Sequence, residues 1–392
     1  MIRQTTISRR RTAVAAVVAV TAVAAGLVAH AAGSASATAK PRPTPVTRAA
    51  LDPALVAGRG ASVAFLEQEA EEANTNGTVI GPDRTAYTLA AEASGRRAVQ
   101  LDPGEWVEFV LPAPTNAITV RYALPDAPTG GGITAPLQVS VNGRDHTTMT
   151  LTSEYSWLYN QYPFTNDPHA GLLHPDWWVT ECQCVPNAQN PPYEPPTPFR
   201  PMHFYDEQRL LLGRTYPPGA KLRLTAPKGT AAAWTIIDLL DSEHVGPPKK
   251  VPRGGNIVDF GADPTGQRDS ADAFDRAIAY AKQKNRPVYI PPGTFQVNRH
   301  IIVDDVTIRG AGNWYSIVKG REVALPEPAP DGSIHTGVGF YGKWASEGGS
   351  RNVHLADFAI EGDVRERIYT DQVNGIGGAM SDSTIDGLYI HH

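Results

Sequence analysis

Asp259-Phe260-Gly261-Ala262-Asp263-Pro264-Thr265-Gly266, followed through Asp269-Ser270 by Ala271-Asp272-Ala273-Phe274-Asp275-Arg276-Ala277-Ile278, is the stretch of this 392-residue chain that decides the fold. Asp269 or Ser270 can accept the orphan amide hydrogens of a helix start, so a helix is expected from Ala271. Phe274, Ala277, Ile278 and Ala281 recur at three- and four-residue spacing and give that helix one apolar stripe, suited to closing the open end of a stack. Pro287-Val288-Tyr289-Ile290-Pro291-Pro292-Gly293-Thr294-Phe295 then reads as a buried strand and a sharp turn. Val306-Thr307-Ile308, Val353-His354-Leu355 and Phe358-Ala359-Ile360 repeat the short apolar strand, as stacked parallel coils require. Thr384, Ile385, Leu388 and Ile390 continue the pattern up to His391-His392. An open last coil exposes apolar surface and unpaired strand edge, so the expectation is a stack truncated at its C-terminal end.

Upstream, residues 61–245 read differently. Trp106-Val107-Glu108-Phe109-Val110, Ile118-Thr119-Val120-Arg121-Tyr122 and Leu137-Gln138-Val139-Ser140-Val141 alternate between turn residues, the pattern of a β-sandwich. The first strand is expected to carry Glu67, Glu69 and Glu71 on one face, and the last, Trp234-Thr235-Ile236-Ile237-Asp238-Leu239-Leu240, sets an acid among apolar residues. A hard cation would draw these ends together; the alternative is a solvated acidic strand. Within the unit lies an insertion containing Tyr155, Trp157, Tyr159, Tyr162, Phe164, Trp177, Trp178 and Tyr193. Flat sugar faces stack on such rings, which makes Trp157, Trp177 and Trp178 candidate substrate contacts. Covering the neighbouring Pro-rich segments is the other use for them. Gly246-Pro247-Pro248-Lys249-Lys250-Val251-Pro252-Arg253-Gly254-Gly255 has the composition of a semi-rigid linker or of a crossover that hugs the surface, and the second unit runs over 256–392.

Arg3, Arg9, Arg10 and Arg11 precede an Ala/Val run from Ala13 to about Val28, and Ala35-Ser36-Ala37 supplies small residues for cleavage, so residues 1–37 read as an export signal and 38–60 as a flexible segment. A general secretory and a twin-arginine route both fit. A net charge of −5 with both signs scattered argues against a nucleic-acid partner. Cys182 and Cys184 are the two cysteines, too few for a thiolate zinc site, and either a local disulfide or two thiols fits their spacing.

Glu69-Ala70-Glu71-Glu72-Ala73 together with Ile237-Asp238-Leu239 resembles carbohydrate-binding modules of families 35 and 6. This resemblance implies a jelly-roll, galactose-binding-like sandwich with a structural calcium held by Glu69, Glu71 and Asp238. The stretch from Asp259 to Phe295 resembles the N-terminal cap of the pectate-lyase-like right-handed parallel β-helix superfamily, which makes the whole chain all-β. His174-Pro175-Asp176-Trp177-Trp178, Phe199-Arg200-Pro201-Met202-His203-Phe204-Tyr205-Asp206-Glu207, Glu361-Gly362-Asp363-Val364 and Asp371-Gln372-Val373-Asn374-Gly375 look like glycoside hydrolase family 87, the mycodextranases and α-1,3-glucanases. That likeness implies a secreted enzyme acting on nigeran or fungal-wall α-1,3-glucan with inversion; the complete enzyme is expected to be a monomer and this chain alone to be inactive. Inversion requires two carboxyl groups roughly 6.5–9.5 Å apart. The family's catalytic aspartates are expected beyond His392, while Asp363 and Asp371 would line the cleft edge or satisfy coil corners. Two other readings stand beside it. One is a non-catalytic carbohydrate-binding protein; the other is a polysaccharide lyase using Arg299, Arg309 or Arg365 near an acidic sugar.

Overall fold

The computed structural model describes residues 65–85, 88–127, 132–155, 205–320, 334–335, 338–363, 371–372 and 375–392. In the first part, alternation produces two antiparallel sheets over one shared core. One sheet runs Thr78–Ile80, Ala98–Leu101, Thr235–Glu243, Thr115–Ala123 and Asp206–Tyr216, with Phe65–Glu69 added along Thr235–Glu243. The other runs Asn74–Thr75, Trp106–Val110, Lys221–Thr225, Thr134–Val141 and Asp145–Thr152. Along Trp106–Val110 the period of two sends Val107 and Phe109 inward to join Ile118, Val120, Leu137 and Leu222. Glu108 points outward and takes Arg223 of the next strand at 2.8 Å, while the Arg223 guanidinium lies 3.8 Å over the Trp106 ring. The expected first strand is shorter than its acidic alternation implied. It ends at Glu69, and Ala70–Glu72 is a turn of 3-10 helix that buries Ala70, so Glu71 leaves the strand face.

The segment 246–255 hugs the second part. Lys249 N donates to Ala311 O at 2.8 Å, its Nζ meets Asp357 at 2.6 Å, and Tyr315 Oη donates to Gly246 O at 2.7 Å. From there the strands are parallel. Gly255–Asn256, Val288–Ile290, Val306–Gly310, Val353–Ala356 and Thr384–Asp386 form one ladder; Thr265–Asp269, Gly293–Gln296, Ser316–Lys319, Ala359–Glu361 and Tyr389–His391 form a second. His300–Ile302, Gly339–Tyr341 and Ile376–Gly377 form a third. In-register pairing stacks like on like: Phe295, Val318 and Ile360 make one interior row and Val288, Ile308 and Leu355 another, each residue essentially inaccessible. Burial of each such side chain contributes about 1.5–3 kcal/mol. The rows reach Ile390, 46% exposed, and Ile385, 52% exposed. Gly310 is required where coils meet, because a Cβ there would lie 2.1 Å from the carbonyl oxygen of Asp357.

The helix forms as Ala271–Lys284, with Phe274, Ala277, Ile278 and Ala281 buried against the stack. Phe274 meets Phe340 edge-on at 5.8 Å. Ser270 holds the N-cap position, but its hydroxyl accepts from Asp263 N at 3.0 Å, and Asp269 Oδ1 takes the Ala271 amide at 3.1 Å. The described residues from Phe65 to His392 belong to one compact unit.

Candidate functional site

The outward side of the second parallel ladder carries Gln296, Lys319, Glu361 and His391 in register. The sandwich strand Asp206–Tyr216 lies against this side, and the two parts lock through polar and aromatic groups. Arg209 is inserted between Trp314 at 3.9 Å and Tyr389 at 4.1 Å, and its Nη2 donates to Asn313 O at 3.1 Å. Trp314 Nε1 donates to Glu243 at 2.5 Å. His392 Nε2 lies 2.9 Å from Asp206 Oδ2, and its ring stacks at 3.9 Å on Tyr155, whose hydroxyl donates to Asp363 at 2.7 Å. Asp363, predicted for a cleft edge or a coil corner, therefore sits at the junction. Beside it His391 approaches Glu361 at 3.6 Å, an ionic rather than a hydrogen-bonding distance. Burial pushes the Glu361 carboxyl upward, but His391 and the charges of Lys319 and Arg209 outweigh it and hold the group below its ordinary range.

The sandwich brings together Glu69, Glu71 and Asp238. Asp238 is fully buried, accepts from Ser94 N at 3.0 and 3.2 Å, and pairs with Arg121. Glu69 Oε1 accepts from Ser94 Oγ at 2.8 Å. Gly95 packs so closely that a Cβ there would lie 3.3 Å from Glu71 Oε1. Burial, then the neighbouring carboxylates, raise Glu71 to about 7; burial raises Asp238 to about 6 against the pull of Arg121. Glu69 Oε2 and Glu71 Oε2 are buried without a hydrogen-bond partner, and oxygen atoms of this kind suit a hard cation. Among the described residues, no three His, Cys, Asp or Glu side chains are grouped as a formed metal centre. Sequence reading missed Arg121 and Ser94. Arg121 alternates with the core residues Val120 and Tyr122, which placed it on the outer face without naming its partner.

Other charged side chains of the coils are engaged in ion pairs and hydrogen bonds. Arg299 is tied to Asp272 at 3.0 Å and Asp275 at 2.5 Å on the capping helix. Asp304 holds Lys343 at 2.5 Å, and Asp305 takes Asn352 Nδ2 at 2.7 Å. The backbone of Asp371 pairs in parallel with Ile334. Trp157, Trp177, Trp178, Arg365, Cys182 and Cys184 lie outside the described residues.

Residues 62–245 match the family model of the α-1,3-glucanase catalytic domain D1, and residues 255–334 match that of rhamnogalacturonase A/epimerase, pectate lyase-like. The first model describes part of a catalytic domain where the sequence reading placed a carbohydrate-binding module. The catalytic unit of a thermostable GH87 α-1,3-glucanase from Streptomyces thermodiastaticus strain HF3-3 is 34% identical, with a TM-score of 0.62 over 84% of this chain and 50% of that one. A GH87 α-1,3-glucanase catalytic domain in complex with nigerose shares the fold at 24% identity and TM-score 0.59, over 86% of this chain and 53% of that one. The pre-neck appendage protein of Bacillus phage B103 is 31% identical over 134 residues, 34% of this chain and 14% of that protein. The chain thus spans about half the length of the solved α-1,3-glucanases and a seventh of the phage protein. Residues 62–245 are thus similar to the D1 part of an α-1,3-glucanase catalytic domain, and the described chain shares its fold with about half the length of the solved GH87 α-1,3-glucanases.

Proposed function

We propose that the chain serves a secreted α-glucan hydrolase acting on α-1,3-glucan, with nigeran as a further substrate, in which the sandwich and the parallel coils jointly hold the polysaccharide. The observation that carries this reading is the match of residues 62–245 to the α-1,3-glucanase domain D1, together with the 34% identity to an α-1,3-glucanase over most of the chain. Asp363 and Asp371 are read as substrate-side residues, along with Trp157, Trp177 and Trp178 of the insertion. Asp304, Asp305 and Asp357 each serve a turn or an ion pair and are assigned no catalytic role. Residues 1–37 are read as the export signal, and the working species as a monomer. The test is retention of the purified chain on insoluble α-1,3-glucan, with β-1,3-glucan as the control and products analysed by mass. Preferential retention, with any product saturated, supports the reading. Equal retention on both polymers, or an unsaturated ultraviolet-absorbing product, overturns it.

Glu69, Glu71 and Asp238 are proposed to hold a structural calcium ion, which would neutralise the two orphan oxygens that Arg121 leaves unpaired. Backbone carbonyls would complete the shell. A ligand at 100 times its Kd stabilises by about 2.7 kcal/mol, so excess calcium should raise the melting temperature over that in EGTA, and Glu71→Gln should abolish the difference. Identical melting in calcium and in chelator withdraws the proposal.

A further inference from the structure

We infer that the cavity between the sandwich strand Asp206–Tyr216 and the parallel coils is a binding site for one or two neutral glucosyl units, built by both parts of the molecule. This rests on the α-glucan reading above. The cavity has a volume of 360 Å³ and is lined by Gln208, Arg209 and Leu211 from the sandwich and by Ile317, Glu361 and His391 from the coils. That size falls at the lower end of the roughly 300–1,000 Å³ of small-ligand pockets, which suits a mono- or disaccharide.

The polar groups suit hydroxyls. Both ring nitrogens of His391 are buried without a hydrogen-bond partner, Nε2 having only the 3.6 Å ionic approach of Glu361 and Nδ1 no such neighbour. Unpaired buried polar atoms are costly, and a sugar hydroxyl entering the cavity would satisfy them. Glu361, 28% exposed at the side chain, supplies an acceptor, and the Gln208 amide supplies both a donor and an acceptor. Ile317 and the 43% exposed Leu211 offer an apolar surface to the C–H face of a pyranose ring. Charge selects against ions. The Glu361 carboxylate lines the cavity and disfavours an anionic sugar, while Arg209 has both planar faces covered by Trp314 and Tyr389.

The full chain is titrated with nigerose by calorimetry, alongside Glu361→Gln, His391→Ala and Leu211→Trp, and each variant's melting temperature is recorded. Leu211→Trp adds bulk at an exposed rim and leaves the core untouched, so it tests the cavity independently of folding. Glu361→Gln and His391→Ala should each weaken binding about tenfold, equivalent to about 1.4 kcal/mol, and Leu211→Trp should abolish it. Unchanged nigerose affinity in Leu211→Trp, or no nigerose binding by the parent chain, overturns the inference. The α-glucan reading survives either result if the chain is still retained on α-1,3-glucan, and falls with it if retention fails too.

Discussion

In the antiparallel sandwich, Asp241 lies directly across from Glu67 on the neighbouring strand, whereas in the parallel coils Asp263 and Asp304 sit at corners facing amides and lysines. Cross-strand rows fix which side chains meet, so an acid on a crowded sheet face cannot turn away from another acid. Burial, and then Glu67, Glu207 and Glu243, raise Asp241 to about 7, and its Oδ1 has no donor. Hydrogen bonds from Thr265 hold Asp263 low, and Lys343 does the same for Asp304. Glu361 stays low despite burial because His391 is stacked one rung away. The exception sharpens the contrast: Asp83, in an exposed turn of the sandwich, is lowered to about 2, first by the Thr85 amide. Turn or face, rather than sandwich or coil, sets the direction.

Carboxyls on crowded sheet faces and carboxyls in turns should therefore respond to pH in opposite senses. A carboxyl raised in the fold contributes stability that is intact below its ordinary value near 4 and is lost as pH rises toward about 7. A lowered carboxyl contributes stability present above its ordinary value and lost as pH falls.

The largest way to break this comparison is Phe274→Ala, which empties the interface between the capping helix and Phe340. It should cost roughly 3–5 kcal/mol, with amide exchange accelerating in the coils and not in the sandwich. Equal acceleration in both parts would show one cooperative block. Next in size, Arg209→Met removes the guanidinium held between Trp314 and Tyr389 and should cost about 2 kcal/mol. Calorimetry should then resolve two transitions, and a single unshifted transition would refute the junction's role. Asp241→Asn should stabilise the sandwich by about 1 kcal/mol at pH 8, allowing for solvent screening, with the gain gone at pH 3. A gain that persists at pH 3 would mean that charge is not its source. Smallest, Glu361→Gln should lower stability by about 0.5–1 kcal/mol at neutral pH through loss of the His391 pair, and the difference should vanish in acid.

Much of the fold was legible because it is local. The spacing of Phe274, Ala277, Ile278 and Ala281 defines a buried helix stripe whatever lies beneath it, and period two in Trp106–Val110 separates inside from outside. Less was legible where a strand yields to a turn, since Glu71 continues the acidic alternation in text but not in space. The junction was illegible. Asp206 and His392 meet across 186 positions, Tyr155 and Asp363 across 208, and no periodicity connects them.

Composition and spacing alone settled the short strands, the capping helix and the order in which an alternating segment precedes a repeating one, because each depends on neighbours a few residues apart. Tertiary structure alone decided which outward faces meet. It put Arg209 between two aromatic rings, His391 beside Glu361, and Arg121 on Asp238. Those contacts arise from the register of distant strands, and register is fixed only when whole faces are buried together.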